Sequence, residues 1–505
     1  MMDTQLLERR HLPIDDEPYG SDDLVRDLEI ERILLRMSRG DDFIKSVCRA
    51  ALLHPLHDVD EIRRRQGGVE DCIRNDDAVR AIYDLAGRAL DVQRSIYMSI
   101  YARRPAALLS RAQRLLADLG GSLLELRRHL EDHESAFRSP AFRAFAETVR
   151  TRLDDEFMAR YREQVRRLEF RSGVGMRVRL GRSAEIIPEQ LHTVQRSTWN
   201  PLSRLTSSAP SFSFTIPERD ESGANAAADL RDRALVRAAQ HGNQALEDVL
   251  GFFRQIRTAT AFYLGAANLA DELTQLGGDL VMPRFIADDG DQRIDGLYDP
   301  SLALRLDRRP TLNDIDLHGK PLLVITGANQ AGKSTTLRAL GLLQLFAQAG
   351  MHVPASHADV HIVGRVFTHW AREEDSGLVH GKFDEELQRV SDIVRRIRRG
   401  DVLLSNESFS STNETEGSTI AAEVIRALVG SGVRVWCVTH LFTFANDLWQ
   451  HDQERAHFVR AAAADPDTDG SAPFRLAAAP PEPTSHGADV FNRVFGTDLH
   501  TESTP

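Results

Sequence analysis

The sequence predicts an α/β domain in the C-terminal half, preceded by a mainly α-helical region with a short β-containing segment. Three observations carry this. "PLLVITG" (321–327) is apolar on both faces, the pattern of a strand inside a parallel sheet. "VLLS" (402–405) and "VRVWCVTH" (433–440) repeat that pattern, with a helical stretch at about 416–429 between them. Upstream, long segments place apolar residues at i, i+3, i+4 and i+7, the spacing of one buried helical face.

Taken in order, residues 1–19 read as a flexible polar arm. From Leu24 the pattern turns helical, and Ile30, Ile33, Leu34 and Met37 share one face. "LLHPLHDVDEIRRRQGGVEDCI" (52–73) breaks at Pro55 and resumes as helix. Phe145, Val149, Leu153, Phe157, Tyr161, Val165 and Leu168 form one apolar stripe, which predicts a single long helix. A helical domain is thus expected over 20–164.

Residues 165–220 change character. "MRVRL" (176–180) alternates, with Met176, Val178 and Leu180 on one side and Arg177 and Arg179 on the other, which is strand periodicity. "FSFTIPE" (212–218) is a second expected strand, and Ser, Pro and Gly around both mark loops. Helix resumes at about Ala226, runs to 273 and ends at Gly277 and Gly278, within a helical return over 221–283. The α/β domain is expected over 284–462, with a helix at 334–349 closed by Gly350. Residues 463–505, rich in Pro and Ala, read as a low-complexity, poorly ordered tail.

A chain of 505 residues has room for about three or four domains. Its 42% hydrophobic and 27% charged content is that of a soluble globular protein able to build large cores. No apolar run is long enough to cross a membrane, and "MMDTQLLERR" lacks a signal peptide's apolar stretch. Cys48, Cys72 and Cys437 are scattered, which points to a reducing cytoplasm and away from a disulfide framework or a cysteine zinc site. The net charge of −12 does not advertise a nucleic-acid binder, but local patches outweigh the total. Nearly all basic charge is arginine; Lys45, Lys320, Lys333 and Lys382 are the only lysines.

One of these lysines lies in "GANQAGKS" (327–334), which fits G-x-x-x-x-G-K-[ST] after a buried strand and at the start of a helix. Gly327 and Gly332 let the backbone curl so that its N–H groups face phosphates, and the helix N-terminus adds partial positive charge. Lys333 is placed to reach the β- and γ-phosphates and the Ser334 hydroxyl to coordinate Mg²⁺. The expected ATP-binding set is Gly327, Ala328, Asn329, Gln330, Ala331, Gly332, Lys333, Ser334 and Thr335.

With this loop in place, "NDIDLHGKPLLVITGANQAGKSTTLRALGLLQLFAQAGMHVPA" (313–355) closely resembles the ATPase domain of the MutS family. So do "RVFTHWAREEDSGLVHGKFDEELQRVSDIV" (365–394), "VLLSNESFSSTNETEG" (402–417) and "VTHLFTFA" (438–445), in the same order over roughly 285–445. "PLHDVDEIRRRQGGVEDC" (55–72) resembles the start of that family's helical lever domain, and "FTIPERD" (214–220) the return from its clamp. The resemblance implies a P-loop ATPase domain preceded by a lever/core domain, with a truncated clamp-like segment at 165–220. The family's mismatch-reading domain, connector and following nuclease domain find no counterpart in the sequence.

The same resemblance implies roles. Glu407 would polarise the attacking water and His440 would sense the γ-phosphate. Asn406 stands where the family carries an aspartate beside the metal, so Ser334 and Asn406 would share the Mg²⁺. Asn329 is a further candidate to face the γ-phosphate. Two ATPase domains would complete each other's sites, with Lys382, Glu386, Thr412 and Asn413 at the dimer seam. Lys382 is equally readable as a solvated surface lysine.

For DNA, Arg166, Arg167, Arg171, Arg177, Arg179 and Arg182 are candidates to contact phosphates without reading bases. A charge-blunted exposed strand explains the same residues. The expected function is a dimeric, cytoplasmic, DNA-binding ATPase of mismatch repair or recombination with slow Mg²⁺-dependent hydrolysis. The alternative is a nucleotide-gated scaffold for protein partners, with little or no hydrolysis.

Overall fold

The computed structural model describes residues 12–95, 104–169, 219–287, 290–328, 331–372, 381–461 and 474–482, together with 4, 6, 7 and 217 and the strands 174–180 and 186–193; for 93–95 and those two strands it describes the backbone alone. The chain forms two compact units, one of residues 1–6 and 77–260, the other of 7–76 and 261–505. The 55-residue helix Glu221–Gln275 contributes to both.

In the first unit the helices Pro105–Asp132, Pro140–Arg152 and Asp155–Arg167 lie with the N-terminal part of Glu221–Gln275. Leu109, Leu235 and Ala239 form one buried cluster. Tyr161 donates to the Leu116 carbonyl at 2.6 Å. The stripe from Phe145 to Leu168 is not one helix. It divides after Arg152, because the Asp154 side chain accepts from Phe157 N and starts a new helix there. The apolar spacing continues through the break, so periodicity alone does not reveal it.

The strand expected at 176–180 lies within Val174–Leu180. Its antiparallel partner is Ile186–Thr193, which sequence reading missed. Pro188 argues against a regular strand, but it sits at a register shift, where Arg177 pairs with Gln190 and Val178 with Pro188. Glu189 is the extra residue. The strand expected at 212–218 lies outside the described residues except for Pro217.

The second unit is built on a six-stranded sheet. Its strands run in the order Leu476–Ala478, Ala456–Ala461, Leu322–Gly327, Arg434–Val438, Val402–Asn406, Val366–Trp370. All neighbours are parallel except the first pair. The apolar faces of Leu322, Val324, Leu403, Val435 and Cys437 pack against Ile425 and Leu428 of helix Glu414–Gly430 and Phe444 and Leu448 of helix Phe442–His451. The helix Lys333–Ala349 is buried along most of its length and ends at Gly350, which takes the left-handed conformation a helix C-cap favours. A smaller sheet runs in the order Arg284–Phe285, His357–Val360, Arg293–Leu297, Asn313–Asp316.

Two stretches are more structured than the sequence suggests. Part of the expected arm is held in place: the Arg396 guanidinium lies 3.9 Å from the centre of the Tyr19 ring, and Glu17 accepts from Arg49 at 2.8 Å. Within the stretch read as a tail, Leu476–Ala478 pairs with Val459–Ala461. Among the described residues no helix is long and apolar enough to cross a membrane.

Candidate nucleotide-binding site

Parallel pairing brings the carboxyl ends of three strands together. Val438 pairs with both Ile325 and Asn406, so Gly327, Asn406 and the residues after Val438 emerge along one edge. That edge is where ligands bind in open parallel sheets. Gly327, with φ of 112°, turns the chain against the backbone of Ala461, and a side chain there would collide with it. Gly332, with φ of 85°, opens the helix that begins at Lys333.

Lys333 is only 4% exposed and donates to the carbonyls of Gly327 at 2.8 Å and Ala328 at 2.9 Å. Burial pushes its ammonium below the ordinary lysine value, and the Glu407 carboxylate opposes that shift. The Ser334 hydroxyl donates to Asn406 Oδ1 at 2.7 Å. Ala331 is buried and Thr335 lines the adjoining cavity, while Asn329 and Gln330 lie outside the described residues.

Glu407 leaves the Val402–Asn406 strand with φ of 55°, its N–H donating to the Val438 carbonyl at 2.9 Å. His440 approaches it, with Nδ1 3.8 Å from Oε2. Glu407 lines one cavity with Lys333 and Ser334, and His440 stands beside Glu407. One turn further along the loop's helix, Arg338 reaches Asp299 at 2.7 Å and Glu29 at 2.6 Å. Asp299 caps the short helix Pro300–Leu306, and burial pushes its carboxyl up while Arg338 pulls it down.

Sequence reasoning missed the other wall. A cavity of about 460 Å³ runs from Lys333, Ser334 and Glu407 to Tyr298, Leu306, Pro310 and Phe474. Phe474 is 42% exposed, unusual for a phenylalanine, and lies against Gly332. Asn313 holds it there, donating to the Phe474 carbonyl at 3.2 Å and accepting from Leu476 N at 2.8 Å. No local pattern in a Pro- and Ala-rich stretch marks Phe474, because its place depends on the chain returning to Asn313.

The expected partner-facing residues divide. Lys382 is exposed at the start of helix Lys382–Val394. Thr412 and Asn413 both bond Glu416, and Asn413 caps helix Glu414–Gly430. Glu386 does not face outward. It is 2% exposed and accepts from Phe409 N, which corrects its placement at a dimer seam. Of the arginines, Arg171 and Arg182 lie outside the described residues, and Arg177 and Arg179 are placed by backbone alone on Val174–Leu180. Arg166 and Arg167 close the helix Asp155–Arg167, and Arg167 bonds Glu163 at 3.0 Å.

The glycine loop at a strand end, the enclosed lysine and the neighbouring acidic strand terminus define a P-loop domain. Comparison with known proteins narrows this. The MutS2 N-terminal domain family matches residues 57–276, and MutS domain V matches 323–480. The chain is 36% identical over 120 residues to the DNA mismatch repair protein MutS of Desulforapulum autotrophicum, covering 23% of this chain and 13% of that protein. It is 31% identical over 222 residues to MutS of a Roseiflexus species (44% and 20%) and 33% identical over 129 residues to the endonuclease MutS2 of Halalkalibacterium halodurans (25% and 16%). The chain belongs to the MutS family. The matched stretches span 13% to 20% of these relatives' length.

Proposed function

We propose that this chain binds ATP with Mg²⁺, hydrolyses it slowly at sites completed by a second copy, and engages DNA in mismatch repair or recombination. The observation that carries the reading is the Ser334–Asn406 contact at 2.7 Å beside the enclosed Lys333. Ser334 Oγ and Asn406 Oδ1 are hard oxygen donors. They suit Mg²⁺, which takes few protein ligands and completes its shell with phosphates and water. The ion, when bound, neutralises charge on the β- and γ-oxygens.

The protein's own groups do the rest. Lys333 exchanges its two carbonyl partners for phosphate oxygens, a charge-assisted contact. Glu407 orients the attacking water and accepts its proton, and His440 stands beside it toward the γ-phosphate. The apolar lip of Tyr298, Leu306 and Phe474 seats the base. Lys382, Thr412 and Asn413 face the partner copy. In the same reading residues 20–164 and 221–283 form the lever and 165–220 a shortened clamp. The clamp arginines Arg171, Arg177, Arg179 and Arg182 then meet DNA phosphates.

One observation favours a second reading, a nucleotide-gated scaffold: the neutral Asn406 amide in place of a carboxylate at the metal. Binding of a fluorescent ATP analogue and ATP turnover, each with and without DNA, separate the two. Analogue binding lost in Lys333→Ala together with slow wild-type turnover supports the ATPase. Binding unaffected by Lys333→Ala removes the site assignment altogether.

A further inference from the structure

We infer that Glu386 is a positioning residue for the catalytic turn, coupling helix Lys382–Val394 to Glu407. This rests on the reading of Glu407 as the water-activating group. The turn after the strand is strained: Glu407 and Phe409 both have left-handed backbones, with φ of 55° and 65°. Side chains adopt this region at a cost, and a bulky residue such as phenylalanine is a clear outlier there. Such a turn persists only if its surroundings over-determine it.

The restraints can be named. Glu407 N–H is held by the Val438 carbonyl at 2.9 Å, and the Glu407 carbonyl by Ser410 Oγ at 2.7 Å. The Phe409 ring is locked into the core. Phe409 N–H is held by Glu386 Oε1 at 2.5 Å. The last of these is the one side-chain carboxylate among them, and it comes from a different element. Glu386 is 2% exposed, and its second oxygen, Oε2, has no hydrogen-bond partner among the described residues. A buried carboxylate with one oxygen bare is expensive. An ordinary helix position facing the core would be filled more cheaply by an apolar residue, as Val390 and Ile393 fill theirs. The residue that stands there instead sets its carboxylate against the peptide two positions after Glu407, with the Arg389 guanidinium of the same helix as its counter-charge. A displacement at the start of this helix, where Lys382 is exposed, therefore reaches the turn that aims Glu407 through Phe409, while the Lys333 ammonium is held by the Gly327 and Ala328 carbonyls.

The test is ATP turnover and ATP-analogue affinity of Glu386→Ala, Glu386→Asp and Glu386→Gln in the full chain, with Glu407→Gln as reference. Asp is one methylene too short to reach Phe409 N, whereas Gln keeps an oxygen in the same place. The expected result is kcat lowered at least tenfold in Ala and Asp, analogue affinity within threefold of wild type, and kcat largely restored in Gln. If Ala does not fold, the Asp and Gln pair carries the comparison. Unchanged kcat in Ala or Asp, while Glu407→Gln abolishes turnover, overturns the inference alone. So does a Gln variant no better than Asp. Turnover unaffected by Glu407→Gln overturns the underlying reading instead.

Discussion

Asn406→Asp would put a carboxylate at the proposed Mg²⁺ position. In the wild type Asn406 Oδ1 accepts from Ser334 Oγ at 2.7 Å, and the remaining amide nitrogen can only donate. An aspartate offers two acceptor oxygens and a charge. Net hydrogen bonds to neutral groups are worth about 0.5–1.5 kcal/mol and those to charged groups about 1.5–3 kcal/mol. The difference, about 1–1.5 kcal/mol at this half-buried position, corresponds to roughly a tenfold change in affinity. The Mg²⁺ concentration giving half-maximal ATP turnover should therefore fall about tenfold in the variant. The Mg²⁺ dependence of ATP-analogue binding should shift with it. Without Mg²⁺ the new carboxylate lies next to Glu407, so the variant should also be less stable than wild type until the cation is added. Turnover at saturating Mg²⁺ should change little, because Glu407 is the same in both. A half-saturating Mg²⁺ concentration that is unchanged or raised in Asn406→Asp would refute the placement of Asn406 at the metal.

Phe474→Ala should weaken ATP-analogue binding by about five- to a hundredfold, since stacking of a base on an aromatic ring is worth about 1–3 kcal/mol; equal affinities by fluorescence titration would remove Phe474 from the site. His369 is pushed down to about 3, first by burial and then by Arg389, and is neutral in the fold. The unfolded chain takes up that proton as pH falls below its ordinary value of about 6.5, so stability is lost from there down to about 3. Between pH 6.5 and 5 this amounts to about 1.6 kcal/mol, which His369→Gln should recover in denaturant melts; equal losses in both proteins would exclude it. DNA binding through arginine–phosphate contacts should weaken steeply with salt, and a flat salt dependence in a filter or anisotropy assay would contradict it.

Much of the candidate site's backbone geometry is legible in the sequence because local rules govern it. Strands buried on both faces have a one-dimensional signature, and the loop needs glycines at fixed offsets where φ is positive. Gly327 and Gly332 take up such values. What escaped depends on tertiary structure or on a local rule overriding a periodic one. The Asp154 cap splits a helix whose apolar stripe is unbroken. Pro188 reads as a loop residue until the bulge opposite Arg177 and Val178 is seen. Phe474 acquires meaning only through Asn313, over a hundred and sixty positions earlier. Glu386 is different, since a signal was present: Glu386, Val390 and Ile393 stand at i, i+4 and i+7, and all are buried. The helical spacing places the carboxylate on the core face, which is where the structure has it.

The central claim is that Glu407 activates water for hydrolysis of an ATP held by Lys333 and Ser334. Single-turnover hydrolysis of γ-labelled ATP by wild type and Glu407→Gln, at saturating Mg²⁺ with and without DNA, tests it most directly. The account predicts slow phosphate release from the wild type, and from Glu407→Gln none, with intact ATP remaining bound. No phosphate release from the wild type under any of these conditions would contradict it and leave the chain a nucleotide-gated scaffold.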